Sequence, residues 1–174
     1  FLATLALHLV KTNRNLIRFY LLQSLVVVAF LLAIGLAEGD RGLVLVALLS
    51  GLIKVVIAPL FFARLIRRYG TRFTTNNYLS TPLTLTVLMG LVLFSYSSIF
   101  LPLGMLVPSA FGILPLNLAM ILISIFMLIN RRGAFSQMVG ILSLENSILL
   151  LASFIGIRQP VALEMGIVFD IVIW

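Results

Sequence analysis

The chain has 174 residues, of which 62% are hydrophobic and 10% are charged, and its formal net charge is +7. Soluble domains carry about 25% charged residues, so this composition excludes a soluble globular protein and indicates an all-α integral membrane protein. The absence of cysteine excludes disulfides, thiolate chemistry and iron–sulfur ligation. Apolar runs and short connections account for nearly every residue, so we predict a single transmembrane domain over residues 1–174.

Seven apolar segments follow one another along the chain, which predicts a bundle of about seven transmembrane helices. The first ends near Val10 and is too short to span, and the last runs from Val161 to beyond Trp174, so we expect both to be truncated. The five segments between them are predicted at residues 19–36, 43–62, 79–100, 113–129 and 135–157. A turn containing glycine and proline is expected over residues 101–112.

Basic residues are concentrated in alternate connections between these segments. Nine of them fall on one side of the predicted membrane, whereas Arg41 and Arg158 fall on the other. The side with more basic residues is expected to be cytoplasmic, and this topology explains the positive charge without a nucleic-acid partner. The same clusters could also contact anionic lipid or a cytoplasmic subunit. The nine residues are Lys11, Arg14, Arg18, Arg64, Arg67, Arg68, Arg72, Arg131 and Arg132.

Lys54 is the remaining basic residue, and it belongs to no connection. It lies eleven residues past Leu43, or about 16 Å into the third segment, which is close to the membrane midplane. Pro59 lacks an N–H donor and crowds the Val55 carbonyl, so we expect a kink and a polar cavity there. Two interpretations stay open for Lys54: a permanent pair with a carboxylate, or a titrating or gating group.

Three carboxylates lie in the last two apolar segments. Glu145 is near the middle of its run, where a charge costs about 2.5–3.5 kcal/mol at a helix centre. Asp170 follows Val161 by nine residues, which places it about 14 Å into the seventh segment. Glu164 lies about one turn into that segment and on a different face from Asp170, so it is either an entrance residue or simply interfacial.

The similar depths of Lys54, Glu145 and Asp170 make them candidates for proton translocation. Burial favours the neutral form of each group and an opposite charge favours the ionised form, and this balance lets a proton bind and leave near neutral pH. Several polar side chains could hold bridging waters between them, or could serve only in helix packing: Gln23, Asn117, Gln137, Ser143 and Asn146. We expect no catalytic residue, metal site or cofactor site, since the sequence has one histidine and no phosphate-binding loop.

The C-terminal part of the chain carries a family resemblance. The run Arg131-Arg132-Gly-Ala-Phe-Ser-Gln-Met-Val-Gly-Ile-Leu-Ser-Leu-Glu145-Asn-Ser, followed by Glu164-Met-Gly-Ile-Val-Phe-Asp170, resembles hydrogenase-4 component E of group 4 nickel–iron hydrogenases and formate hydrogenlyase. Residues 113–174 are also similar to the K-type subunit of respiratory complex I and to the C-type subunit of Mrp cation/proton antiporters. On this match Glu145 replaces the first buried glutamate of the family and Asp170, one methylene shorter, replaces the second.

The resemblance extends through residues 1–78, which contain Lys54, by two shorter motifs. These are Phe19-Tyr-Leu-Leu-Gln23-Ser-Leu and Ile53-Lys54-Val. In each half a polar residue is followed by a charge in the next segment, after 31 residues from Gln23 to Lys54 and 25 residues from Glu145 to Asp170. The pattern suggests two K-type three-helix units, although the interval is not constant.

The resemblance implies a multi-pass, non-catalytic subunit of the prokaryotic cell membrane, within a redox complex that translocates protons or sodium ions. Its implied partners are antiporter-like membrane subunits, a membrane-anchor subunit, a cytoplasmic nickel–iron hydrogenase and iron–sulfur module, and lipid. Three alternatives stay open. The chain could be a structural scaffold that docks antiporter-like subunits with its charges merely paired, a subunit of an Mrp-type antiporter, or a stand-alone transporter.

Overall fold

The computed structural model describes residues 1–69, 76–106 and 111–155, and within these ranges the all-α prediction is confirmed. The seventh predicted segment, with Glu164 and Asp170, lies outside the described residues. The elements in chain order are α1 Leu2–Leu9, α2 Asn13–Glu38, α3 Arg41–Gly51, a π-helical turn Leu52–Ile57, α4 Ala58–Tyr69, α5 Thr81–Ser95, a 3-10 turn Ser98–Phe100, α6 Leu101–Leu106, α7 Leu114–Asn130 and α8 Ala134–Ile155.

Three of the described helices are long and apolar enough to cross a membrane: Asn13–Glu38, Arg41–Arg68 and Ala134–Ile155. A fourth span results if the bent pair Thr81–Ser95 and Ser98–Met105 is counted as one, whereas Leu114–Asn130 is apolar but shorter. These lengths and compositions are those of a membrane protein. The count of seven spans remains a prediction.

The segment predicted over residues 79–100 is apolar enough to span only together with α6, and it is not one straight helix. α5 ends at Ser95, and the 3-10 turn that follows leads into α6 with a bend of 46°. Ser95 Oγ donates to the Val92 carbonyl at 2.7 Å, and Ser97 Oγ accepts from Ile99 N at 3.4 Å. Such serine-to-backbone bonds compete with continuation of the helix. The predicted turn over residues 101–112 is wrong for residues 101–106, which form α6.

The third span is a single run of three helical elements with a widened turn in its middle. It starts at Asp40, whose Oδ1 accepts from Gly42 N at 2.8 Å and from Leu43 N at 3.2 Å and so caps the helix. In the π-helical turn, Ala58 N donates to the carbonyl of Ile53, five residues earlier. Pro59 follows at once, so the helix adapts to the missing proline N–H through a π bulge.

α2 is central to the packing and contacts α1, α3, α4, α8 and the π-helical turn. A cluster of three aromatic rings joins these elements on one side of the π-helical turn. The Phe62 ring lies 5.1 Å from the Phe135 ring and 6.2 Å from the Tyr20 ring, measured between centroids. All three side chains are buried in one apolar cluster that also includes Ile53. This cluster holds the π-helical turn against α2 and α8.

The α2–α3 hairpin depends on a close approach at Gly35. A β-carbon there would lie 2.9 Å from Val44 Cγ2 and 3.0 Å from Val44 N. Gly35→Ala is therefore expected to lower the free energy of unfolding by about 1–3 kcal/mol, because the Val44 backbone has to move. Unfolding in mixed micelles with increasing sodium dodecyl sulfate would measure this. Gly90→Ala is the matched control, since nothing lies within 4 Å of its added carbon. Equal losses in the two variants would contradict the prediction.

Candidate functional site

Lys54 and Glu145, on different helices, meet inside the bundle. Lys54 Nζ lies 4.0 Å from Glu145 Oε2, and the side chains are 1% and 19% exposed. Lys54 is on the π-helical turn, and Glu145 is eleven residues into α8, or about 16 Å along its axis. Both residues therefore lie far from the ends of their spans, and the structure brings together two of the three charged candidates.

The attraction between the two charges does not make this ion pair a net source of stability. Opposite unit charges 4 Å apart attract by about 4 kcal/mol at an effective dielectric constant near 20. Insertion of one charge at a helix centre costs about 2.5–3.5 kcal/mol, and two charges are inserted here. The attraction offsets only part of the roughly 5–7 kcal/mol that two insertions cost, so stability does not explain why both charges are present.

A layer of buried polar side chains surrounds this level of α8. Gln23 Nε2, on α2, donates to Thr4 Oγ1 on α1 at 3.1 Å and to the Ser143 carbonyl on α8 at 3.4 Å. Ser143 Oγ also lies 3.0 Å from Ser124 Oγ on α7. All four residues are at most 3% exposed. Four helices are thus joined by hydrogen bonds close to Glu145.

Asn146 and Asn117 extend the same layer. Asn146 Nδ2 donates to Ser24 Oγ at 2.8 Å, which ties α8 to α2. With the Asn117 amide oriented to satisfy both of its neighbours, its nitrogen donates to the Ser147 carbonyl at 3.1 Å and its oxygen accepts from Leu151 N at 3.3 Å. We define the polar layer as Thr4, Gln23, Ser24, Asn117, Ser124, Ser143, Asn146 and Ser147, all of them buried.

The polar layer contains four of the five polar side chains that the sequence singled out, namely Gln23, Asn117, Ser143 and Asn146. The carboxylates Glu164 and Asp170 lie outside the described residues. Gln137 belongs elsewhere, because its Nε2 donates to the carbonyls of Leu128 at 3.3 Å and Arg131 at 3.1 Å, near the end of α7. The sequence did not predict four members of the layer: Thr4, Ser24, Ser124 and Ser147. A single hydroxyl in an apolar segment does not show whether it joins a polar layer or only packs between helices.

Arg131 is a buried residue that sequence reasoning assigned to the cytoplasmic surface. Its side chain is 1% exposed, and Nη2 donates to the carbonyls of Leu7 and Val10, the latter at 3.0 Å. These contacts cap the C-terminal end of α1, where carbonyls lack helical partners and the helix dipole favours a cation. Burial lowers the pKa of Arg131 to about 10, so the guanidinium still carries its charge at neutral pH.

A short backbone bridge fixes the position of Arg131. Tyr78 N donates to the Asn130 carbonyl at 2.8 Å, and Arg132 N donates to the Asn76 carbonyl at 3.0 Å. Asn130 Oδ1 accepts from Leu79 N at 3.0 Å. The connection before α5 is therefore attached to the connection between α7 and α8, next to the end of α1.

The fold and the site together define a helical membrane protein with an ion pair inside the bundle and a hydrogen-bonded polar layer beside it. The chain is 26% identical over 160 residues to the uncharacterized protein Rv0085 of Mycobacterium tuberculosis, and the alignment covers 91% of this chain and 72% of that protein. No family model matches the chain, and no solved structure matches it. The similarity spans most of both proteins and assigns no activity to either.

Proposed function

We propose that this protein is a membrane-arm subunit of an ion-translocating redox complex related to group 4 nickel–iron hydrogenases and complex I. In this role it contributes buried charged residues to the translocation of protons or sodium ions. The observation that carries the proposal is the approach of Lys54 Nζ to Glu145 Oε2, 4.0 Å apart in the middle of two spans. Ionisable groups at such depth are costly and commonly belong to ion pathways.

In the proposed mechanism, Glu145 changes its charge and Lys54 responds. When the carboxylate binds a proton, it loses its attraction for the ammonium, and the ammonium then interacts more strongly with another anionic group. Asp170 is the proposed group, by the family resemblance of the sequence around it. The polar layer supplies hydroxyl and amide groups that orient water close to Glu145. In this mechanism the chain takes part in ion movement, and electrons pass through other subunits.

Copurification tests which complex contains the chain. Affinity purification of the tagged protein from its native membranes in a mild detergent, followed by mass spectrometry, is expected to recover antiporter-like subunits, an anchor subunit and a nickel–iron hydrogenase. A tagged membrane protein of the same host with no role in redox complexes is the control for background. Recovery with antiporter subunits alone would favour the Mrp-type assembly, and full transport activity of the isolated chain would favour a stand-alone transporter. Either result contradicts the proposal.

The same ion pair also favours a second candidate function, a structural scaffold. Lys54 is 1% exposed and faces Glu145 at 4.0 Å, which is the geometry of a pair that holds two helices together without titrating. A scaffold of this kind would dock antiporter-like subunits against the membrane anchor. The two functions differ in the effect of removing only one charge: loss of assembly for a scaffold, and loss of ion movement in an assembled complex for a proton pathway.

A further inference from the structure

Two cavities of different chemistry adjoin at the end of α1 that is predicted to face the cytoplasm. The polar cavity has a volume of about 260 Å³ and lies between the end of α1, the connection before α5 and Arg131. The apolar groove, about 350 Å³, runs between α1 and α5 and is lined by side chains such as Leu5, Leu88 and Met89. Leu9 lines both of them. A single molecule with a polar end and an apolar end could therefore occupy both cavities.

The polar cavity has the charge expected of an anion site. Among the described residues that line it, the charged ones are Lys11 and Arg131, and no carboxylate is present. Ser80 and Thr81, at the N-terminus of the 15-residue helix α5, also line it, and the Ser80 side chain makes no capping hydrogen bond. The positive end of the α5 dipole adds to the two cations.

His8 gives an independent sign that a ligand is expected in the polar cavity. Its side chain is 3% exposed and lines the cavity, and neither ring nitrogen has a hydrogen-bond partner among the described residues. Buried polar atoms without a partner are costly, and they are usually satisfied by water or by a ligand. The ring is held in place by Phe126, with the ring centroids 5.3 Å apart. An oxygen-rich group in the cavity would lie next to this ring, which lines the cavity.

We infer that the polar cavity and the apolar groove together form a binding site for one anionic phospholipid. The phosphate lies in the polar cavity near Lys11 and Arg131, and an acyl chain lies along the groove between α1 and α5. The cavity volume is several times the ~30 Å³ that one water molecule takes up in the liquid, so a phosphate group fits. Basic pockets between membrane helices at the cytoplasmic surface bind lipid headgroups in this way.

Lipid retention by the full protein in a neutral detergent tests this inference. Native mass spectrometry during titration with phosphatidylglycerol is expected to show one retained lipid, bound about tenfold more tightly than phosphatidylcholine with the same acyl chains. Lys11→Gln should lower the affinity for phosphatidylglycerol about fivefold, which is the usual effect of one cation at a membrane surface. Met89→Trp should lower the affinity for both lipids, because the larger side chain fills the apolar groove.

Matched variants elsewhere serve as controls. Arg64→Gln removes an exposed cation from α4, and Leu36→Trp enlarges an apolar side chain that is 70% exposed, close to the 67% of Met89. Neither should change lipid retention. The inference would be overturned if the two lipids bound equally and if neither Lys11→Gln nor Met89→Trp changed their binding. If millimolar inorganic phosphate displaced the lipid and Met89→Trp left lipid binding unchanged, the polar cavity would be a site for free phosphate. That result would overturn the lipid assignment.

Discussion

Glu145→Gln is expected to abolish ion translocation by the assembled complex and to leave its redox activity with soluble electron acceptors unchanged. Glutamine keeps the size and much of the hydrogen bonding of the side chain, but it cannot bind and release a proton. It also removes the negative charge that lies 4.0 Å from the Lys54 ammonium. The loss should be about a hundredfold or more, since a positioned proton-transfer group typically contributes about 10²–10⁴-fold. Quenching of a pH-sensitive dye in inverted membrane vesicles measures the translocation.

Glu38→Gln is the chemical control for this experiment, because the same change is made at an exposed carboxylate at the end of α2. It should translocate at the parental rate. Glu145→Asp should recover part of the activity, since it restores a titratable carboxyl group with a shorter reach. A correctly assembled Glu145→Gln complex that translocates ions at the parental rate would show that this carboxylate is not on the pathway.

Lys54→Met is expected to destabilise the isolated protein by about 3–5 kcal/mol, the usual cost of removing one partner from a buried ion pair. The size of the change follows from the site, since the Lys54 side chain is 1% exposed and the Glu145 carboxylate stays in the bundle. Methionine has a similar shape and fits the space left by the lysine stem, so a cavity is not the source of the loss. Unfolding in mixed micelles measures the stability, and native gel electrophoresis measures assembly.

A double-mutant cycle separates the proton pathway from the scaffold. Lys54→Met combined with Glu145→Gln removes both charges and should recover most of the stability lost by Lys54→Met alone, because no unpaired charge remains. For a proton pathway, all three variants assemble to some extent and none translocates ions. For a scaffold, assembly fails in Lys54→Met, and ion movement returns together with assembly in the double variant. A coupling energy near zero would mean that the two charges do not interact.

The helices that could be predicted from sequence are those whose apolar pattern is continuous. α2, the run from Arg41 to Tyr69 and α8 each overlap a predicted segment, because about twenty apolar residues leave few other structures possible in a membrane. The first two helices are longer than predicted and include basic residues that were placed in connections. The approach of Lys54 to Glu145 could also be anticipated in part, because both residues were placed at similar depths. Depth does not specify which helix faces which, so contact between them needed the packing of α2 and α8 around the π-helical turn.

The features that sequence did not predict depend on local competition or on distant partners. Hydropathy does not register the break after Ser95, because serine is tolerated in a span until its hydroxyl bonds to a nearby carbonyl. The burial of Arg131 was missed for a different reason. A basic pair after an apolar run is the usual signature of a cytoplasmic connection, and the two carbonyls that bury this guanidinium belong to the first helix.

That long-range cap has a consequence for biogenesis. The carbonyls of Leu7 and Val10 are 124 and 121 residues away from the arginine that binds them. At about 5–20 residues per second, a ribosome needs roughly 6–25 s to make the intervening chain. During that interval the end of the first helix must be solvated by water or by lipid headgroups at the membrane surface. The end of α1 therefore reaches its final hydrogen bonding only after α7 and Arg131 have been synthesised.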